Sequence, residues 1–160
     1  MIRKVIQREL EILHTPCSPV KDFHSSKSII KDLKDTIVYL KTQHSFNRGI
    51  GLAAPQIGET LRISVAEYDG KQYLLINPTI VDKSEGKTPI REGCISFLEY
   101  RAMVPRYDYV RVKAYDENGE EYFVEGHGNF AMLLQHELDH LDGVLYVDHL
   151  SNGEKDLFKK

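Results

Sequence analysis

The amino-acid sequence predicts an α+β fold on three observations. Residues 28 to 42 carry apolar side chains at helical spacing. Residues 61 to 82 and 109 to 125 read as strands, with turn signals between them. Residues 130 to 141 return to helical spacing and hold two histidines four apart. At 160 residues the chain is expected to form one domain spanning 1 to 160.

Composition narrows the class further. With 41% hydrophobic and 28% charged residues, the chain is neither disordered nor a membrane protein. A net charge of -3 gives no overall nucleic-acid footprint. No apolar run approaches the ~20 residues that cross a bilayer. The early charges Arg3, Lys4 and Arg8 are not followed by the apolar stretch of a secretory signal. The expected compartment is therefore the cytosol. There a disulfide between Cys17 and Cys94 is disfavoured, and a metal-binding or catalytic cysteine gains weight.

Taken in order, residues 1 to 24 read as irregular. Pro16 and Pro19 disfavour a helix around Cys17 and push Thr15 and Ser18 towards extended backbone. Nothing near Cys17 would activate it, so it reads as a structural thiol. His14 and His24 stand alone. Then Ile30, Leu33, Ile37 and Leu40 recur with Lys31, Asp32, Lys34 and Asp35 between them, the pattern of an amphipathic surface helix. Ser25 or Ser26 could cap it.

In Gly49 to Gly58, Gly49 and Gly51 bracket Ile50, which suggests close backbone approach or positive φ. Gln56 is a lone amide among small and apolar residues, either a satisfied core amide or a donor aimed at a substrate. The glycine spacing does not make a nucleotide loop. Strand patterns follow at Arg62 to Ala66 and Tyr73 to Ile76, with a turn at Asp69-Gly70. Asn77-Pro78 breaks the run, Thr79 to Val81 resumes it, and residues 83 to 89 read as loop. Cys94 follows Gly93, so its backbone is accessible; it is a buried free cysteine or a thiolate ligand. Tyr109 to Tyr115 alternates, Asn118-Gly119 suggests a two-residue hairpin turn, and Glu121 to Glu125 returns.

The last helix carries the chemistry. Phe130, Leu134, Leu138 and Leu141 form an apolar row, with Gly128 and Asn129 as start signals and Gly143 as the stop. His136 and His140 fall one turn apart on one face, so both imidazoles can reach one metal ion. Glu137 can sit beside a water at that metal without ligating it, which is the physical content of an HExxH segment. The bland alternative is a core helix with two incidental histidines. Adding the Cys94 thiolate makes three protein ligands and leaves a fourth position open, the layout of a catalytic site. His127 is a further candidate for that fourth position. The tail, Ser151 to Lys160, is polar and is expected to fray.

Three stretches stand together: GIGLAAPQ from Gly49 to Gln56, EGCIS from Glu92 to Ser96, and HELDHLDG from His136 to Gly143. In this order and spacing the chain resembles the peptide deformylase family, from the first helix to about Asp148. Arg101 to Arg106 adds to the likeness. The resemblance implies antiparallel sheets around a central metal helix and removal of the formyl group from the N-formylmethionine of nascent chains. It implies one Fe(II) ion, replaceable by zinc, nickel or cobalt. Cys94, His136 and His140 match the metal ligands and Glu137 the general acid/base. Gln56 and the Ile95 N–H match the donors to the formyl oxygen, and Gly51 a backbone contact to substrate. Ile50, Ile90, Met132 and Leu133 fall where the family lines its methionine pocket. Glu92, Asp139 and Arg106 fall where it supports the ligands. The implied partners are N-formylmethionyl nascent peptides and the ribosome.

The chain departs from the pattern with Ile95 for the usual leucine and with Phe97-Leu98 where proline is usual at position 98. Its tail SNGEKDLFKK offers no match for the ribosome-contacting helix of longer bacterial members. Two other readings of the same residues are a zinc endopeptidase and a deformylase-like protein with altered catalysis. The upstream cysteine speaks against the first, and the intact Glu137, Gln56 and Cys94 against the second.

Overall fold

Two antiparallel sheets and two helices build the fold in a computed structural model, which describes residues 1–160. The N-terminal residues run irregularly to a short 3₁₀ turn at Glu11–His14. Helix α1 spans Lys27–Gln43 and buries Ile30, Leu33, Ile37 and Leu40 as the spacing predicts. Ser26 occupies its N-cap position, but its hydroxyl donates backwards to the Phe23 carbonyl at 2.8 Å and does not cap the helix.

The larger sheet contains β1 (Gly49–Ala53), β2 (Ile63–Tyr68), β3 (Lys71–Lys83), β6 (Tyr109–Tyr115) and β7 (Glu121–His127), in the order β1-β2-β3-β6-β7. The smaller sheet contains β4 (Thr88–Gly93), β5 (Tyr100–Arg106) and β8 (Phe158–Lys159), in the order β4-β5-β8. Helix α2 spans Gly128–Leu141 and lies between the two sheets, touching β1, β2, β6 and β7 on one side and β4 and β5 on the other.

The period-2 alternation of the larger sheet explains how it serves two helices. Leu52, Ile63, Val65 and Ile76 pack with Leu33 and Ile37 of α1. The opposite set, including Ala66, Leu75, Val112 and Val124, packs with Leu134 and Leu138 of α2. A third cluster joins Val104 of the smaller sheet to Leu13, Phe97, Leu145 and Tyr146. No helix is long and apolar enough to cross a membrane.

The turn expected at Asp69-Gly70 is present, and local structure departs from the sequence reading at three other places. The two-residue hairpin turn is at Asp69-Gly70, with φ of 48° and 79°, while Tyr68 and Lys71 pair directly. The connection at Asn118-Gly119 is longer, because the Asp116 carboxylate accepts the N–H groups of Asn118 and Glu120 at 2.8 and 3.0 Å. Asn77-Pro78 does not end β3. Asn77 takes φ of 48° and bonds both backbone groups of Val20, so the strand continues through a register shift. The tail is not frayed: Phe158 and Lys159 pair with Arg101 and Tyr100 of β5.

Candidate active site

Helix α2 is unlike an ordinary surface helix. Ten of its 14 residues are buried, including Gln135, His136, Glu137 and His140. Such a helix requires a partner for nearly every polar group, and the chain supplies most of them. Its C-terminus is closed by a Schellman motif: Gly143 N–H donates to His140 O at 3.3 Å and Val144 N–H to Asp139 O at 2.9 Å. Gly143 takes φ of 73° and a Cβ there would lie 2.8 Å from the His14 backbone, so glycine is required twice over. The helix begins at Gly128 with His127 in the N-cap position, one residue earlier than a cap at Gly128 would place it. The His127 ring packs on Tyr109 and does not join the donor cluster.

One donor atom from each of Cys94, His136 and His140 lies within 4.8 Å of the others, and all three side chains are buried. His140 Nε2 is 3.1 Å from His136 Nε2 and 3.4 Å from Cys94 Sγ. Tetrahedral bonding at ordinary metal–ligand lengths would space two nitrogens about 3.3 Å apart and a nitrogen and a sulfur about 3.5 Å apart. The donors therefore fit one ion with little adjustment. A thiolate with two imidazoles suits zinc, iron, cobalt or nickel and not magnesium or calcium.

A charged network behind the cluster sets the orientation of His136. Glu92 on β4 accepts a hydrogen bond at His136 Nδ1, which leaves Nε2 free to face the other donors. Arg106 on β5 grips the same carboxylate with two hydrogen bonds of 2.8 and 2.7 Å. Its Nη1 also donates to Asp139 at 2.6 Å, and Asp139 meets His149 at 2.8 Å. Burial works against a charge on Glu92, but Arg106 and His136 outweigh it and hold the carboxyl at about 2. Burial likewise opposes a proton on His136, yet Glu92 and Cys94 raise it above the ordinary histidine range. Burial and the His136 charge hold His140 below that range, in the neutral form that ligates.

Glu137 lies on the opposite side of the cluster, against β1 and β2. Its carboxyl occupies the space where Gly51 lacks a side chain: a Cβ at Gly51 would meet Glu137 Oε1 at 2.0 Å. Close approach, not positive φ, is thus the reason for this glycine. Ser64 of β2 contacts the other carboxyl oxygen at 2.5 Å. Burial pushes Glu137 up to about 7, against the His136 charge and the Ser64 hydrogen bond. That places its proton affinity near neutrality, where a general base is most useful.

Gln56 sits in a 3₁₀ turn, Ala54–Ile57, directly after β1. Its Oε1 accepts from Ala53 N–H at 2.9 Å, which turns the amide nitrogen towards Ser96 Oγ at 3.2 Å and Cys94 Sγ at 3.7 Å. Ile95 begins the 3₁₀ turn Ile95–Phe97, and the first N–H of such a turn has no acceptor within it.

A cleft of about 660 Å³ opens onto Cys94, Ile95, His136 and Glu137. Ile50, Gly51, Met132 and Leu133 line it. Ile90 does not. Alternation along β4 turns Arg91 and Gly93 to the cleft. The sequence reading also passed over Ser64, Ser96 and Gln135. Gln135 bonds both backbone groups of Tyr107, at 3.0 and 2.9 Å, and ties α2 to the end of β5. Serine in a strand and glutamine in a helix give no signal of such roles until the packing is known.

A buried HExxH helix, an upstream cysteine and an open cleft define the class of metallohydrolases. The comparisons narrow that class to one family: residues 2–156 match the model for polypeptide deformylase. The chain belongs to that family, whose known activity is deformylation of N-formylmethionine. It is 41% identical over 142 residues to a peptide deformylase of Heliobacterium modesticaldum, covering 88% of this chain and 89% of that one. It is 39% identical over 153 residues to peptide deformylase 1 of Bacillus subtilis, covering 94% and 91%. A peptide deformylase structure from Legionella pneumophila superposes with a TM-score of 0.85 at 39% identity, over 94% of this chain and 87% of that one. One from Synechococcus elongatus, in complex with actinonin, gives 0.83 at 31% identity, over 92% and 78%.

Proposed function

We propose that residues 1–160 act as one catalytic unit that removes the formyl group from formylmethionyl N-termini of nascent chains in the cytosol, at or near the ribosome. The observation that carries this reading is the convergence of Cys94, His136 and His140 beside Glu137 at the floor of an open cleft. These three residues would hold the ion, with Fe(II) as the native metal and zinc, nickel or cobalt as substitutes. When bound, the ion supplies Lewis-acid polarisation and makes water acidic enough to attack near neutral pH.

The chain's own residues do the rest. Glu137 takes a proton from the attacking water as the formyl carbon becomes tetrahedral. Gln56 Nε2 and the Ile95 N–H donate to the developing oxyanion. The C–N bond then breaks, Glu137 returns its proton to the leaving amine, and formate departs. Ile50, Met132 and Leu133 form the apolar lining for the methionine side chain. The outer edges of β1 and β4 flank the cleft, so an extended peptide can add its backbone to either one. Glu92, Arg106 and Asp139 act at one remove, by fixing the His136 ring.

The test is formate release from a formyl-methionyl peptide by metal-loaded protein, measured beside metal content. Wild-type protein should release formate and leave internal peptide bonds intact. Cys94→Ala should lose metal and turnover together, by more than the ~10–100-fold typical of a lost supporting contact. Full metal content with normal turnover in Cys94→Ala would remove the thiolate from the site.

A further inference from the structure

The mouth of the cleft carries a charge pattern that deformylation does not require. The chain as a whole is acidic, with a net charge of -3. Yet four cations line the cleft: Arg48, Arg91, Arg101 and Lys160. The one carboxylate residue along it is Glu137, which is buried.

These cations are not equivalent. Arg48 is engaged by both carboxylate oxygens of Asp69. Arg91 is exposed, lies over the Phe158 ring at 5.5 Å and pairs with no carboxylate. Arg101 is set in place: a Cβ on Gly93 would lie 2.6 Å from its Nε, so the missing side chain makes the seat for the guanidinium. Its Nη1 donates to the carbonyls of Leu98 and Tyr100 at 3.3 and 2.7 Å. Nε and Nη2 make no hydrogen bond within the chain and remain available as a paired fork for a carboxylate.

We propose that Arg91 and Arg101 make this cleft a reader of acidic side chains in the residues that follow formylmethionine. The inference rests on the deformylase reading of the same site and adds a substrate preference to it. Arg91 lies on the edge strand β4, two residues from Gly93, and both face the cleft. A peptide laid along that edge presents alternate side chains to the same face. Nucleic acid fits the pattern less well, because the free cations rim a cleft partly lined by the apolar side chains of Ile50, Met132 and Leu133 and do not form an extended stripe.

The experiment compares three amidated peptides: formyl-Met-Ala-Ala, formyl-Met-Glu-Glu and formyl-Met-Lys-Lys. kcat/KM for formate release is measured with wild-type protein, Arg91→Glu and Arg101→Gln, at low and high salt. Partly exposed charge pairs change equilibria by roughly 1.5-fold to fivefold each. The Glu peptide should therefore exceed the Lys peptide by about tenfold in wild-type protein at low salt. High salt should reduce that ratio. Arg91→Glu should abolish or reverse it, and Arg101→Gln should lower it. A wild-type ratio near one, with the Ala peptide turned over, overturns this inference while the deformylase reading stands. A ratio unchanged in both variants also overturns it, including where those variants lose affinity for ribosomal RNA. No formate from the Ala peptide would end the deformylase reading and this inference with it.

Discussion

Helices α1 and α2 both show apolar spacing, but they solve different problems. Helix α1 buries one stripe against the larger sheet and gives its other face to water. Its single buried side-chain hydroxyl, on Thr36, is satisfied by the Asp32 carbonyl at 2.7 Å and by Arg3 N–H at 2.9 Å. Helix α2 is enclosed by two sheets, and four of its buried residues are polar or charged. Each of those four has at least one partner outside the helix, although the buried Nδ1 of His140 has none. A surface helix needs only a pattern, whereas an enclosed one needs a pattern and a set of specific partners. The proposed catalytic and metal-holding residues of the enclosed helix are held in fixed positions by the partners that satisfy its polar groups.

The sharpest way to break this comparison is Glu137→Gln. The amide keeps nearly the same volume and a contact to Ser64, but it cannot take and return a proton. Metal content and melting temperature should be preserved, and kcat should fall by about 10²–10⁴. Turnover close to wild type would take Glu137 out of the mechanism. Next in size is Gln56→Ala, which should lower kcat by about 10²–10³ with metal retained. A change confined to KM would make Gln56 a residue that binds the ground state.

A matched pair of core truncations separates the two helices directly. Leu33 of α1 and Leu134 of α2 are both fully buried. Leu33→Ala and Leu134→Ala should each cost about 2–5 kcal/mol of stability. Below the unfolding transition, Leu33→Ala should retain wild-type kcat, because α1 carries no residue of the site. Leu134→Ala leaves a cavity two residues from His136, and small displacements of reacting groups are costly. Its kcat should drop severalfold even where the protein is fully folded. Equal kcat for the two variants would show that α2 tolerates a cavity as readily as α1 does.

The same contrast explains what could be read before the structure. Helix α1, strands β2 and β6 and the metal helix announce themselves by period, and the residues of the donor cluster by their type and spacing. Strand β4 was not legible, because Thr88-Pro89 reads as loop and Arg91 and Glu92 are charged in sequence. Glu92 is in fact buried between Arg106 and His136, so its charge is an interior feature that hydropathy misassigns. Strand β1 was hidden by its glycines, which are there because Tyr68 and Glu137 lie against them. The short strand β8 draws its order from pairing with β5, and two residues carry no periodicity of their own. What escaped the sequence is consistently what depends on a partner distant along the chain.

The last prediction concerns such a partner. Ser64 on β2 is fully buried, with its hydroxyl 2.5 Å from Glu137 Oε2 and 3.1 Å from the Leu52 carbonyl. A hydroxyl has one proton, so it cannot donate to both. When Glu137 is ionised, Ser64 donates to it. When Glu137 carries a proton, its O–H donates a hydrogen bond to Ser64 Oγ, whose own proton then turns to the Leu52 carbonyl. The serine can therefore support both protonation states that the proposed role of Glu137 requires. Ser64→Ala removes that support and leaves the carboxyl facing β2 without a partner. A hydrogen bond to a charged group is worth about 1.5–3 kcal/mol, but part of this is shared by both protonation states. The expected fall in kcat is accordingly about tenfold, with KM and metal content unchanged. Formate release and bound metal should be measured on the same preparations. An unchanged kcat would make Ser64 a packing residue, and a loss of metal would mean that it acts on the helix as a whole and not on Glu137.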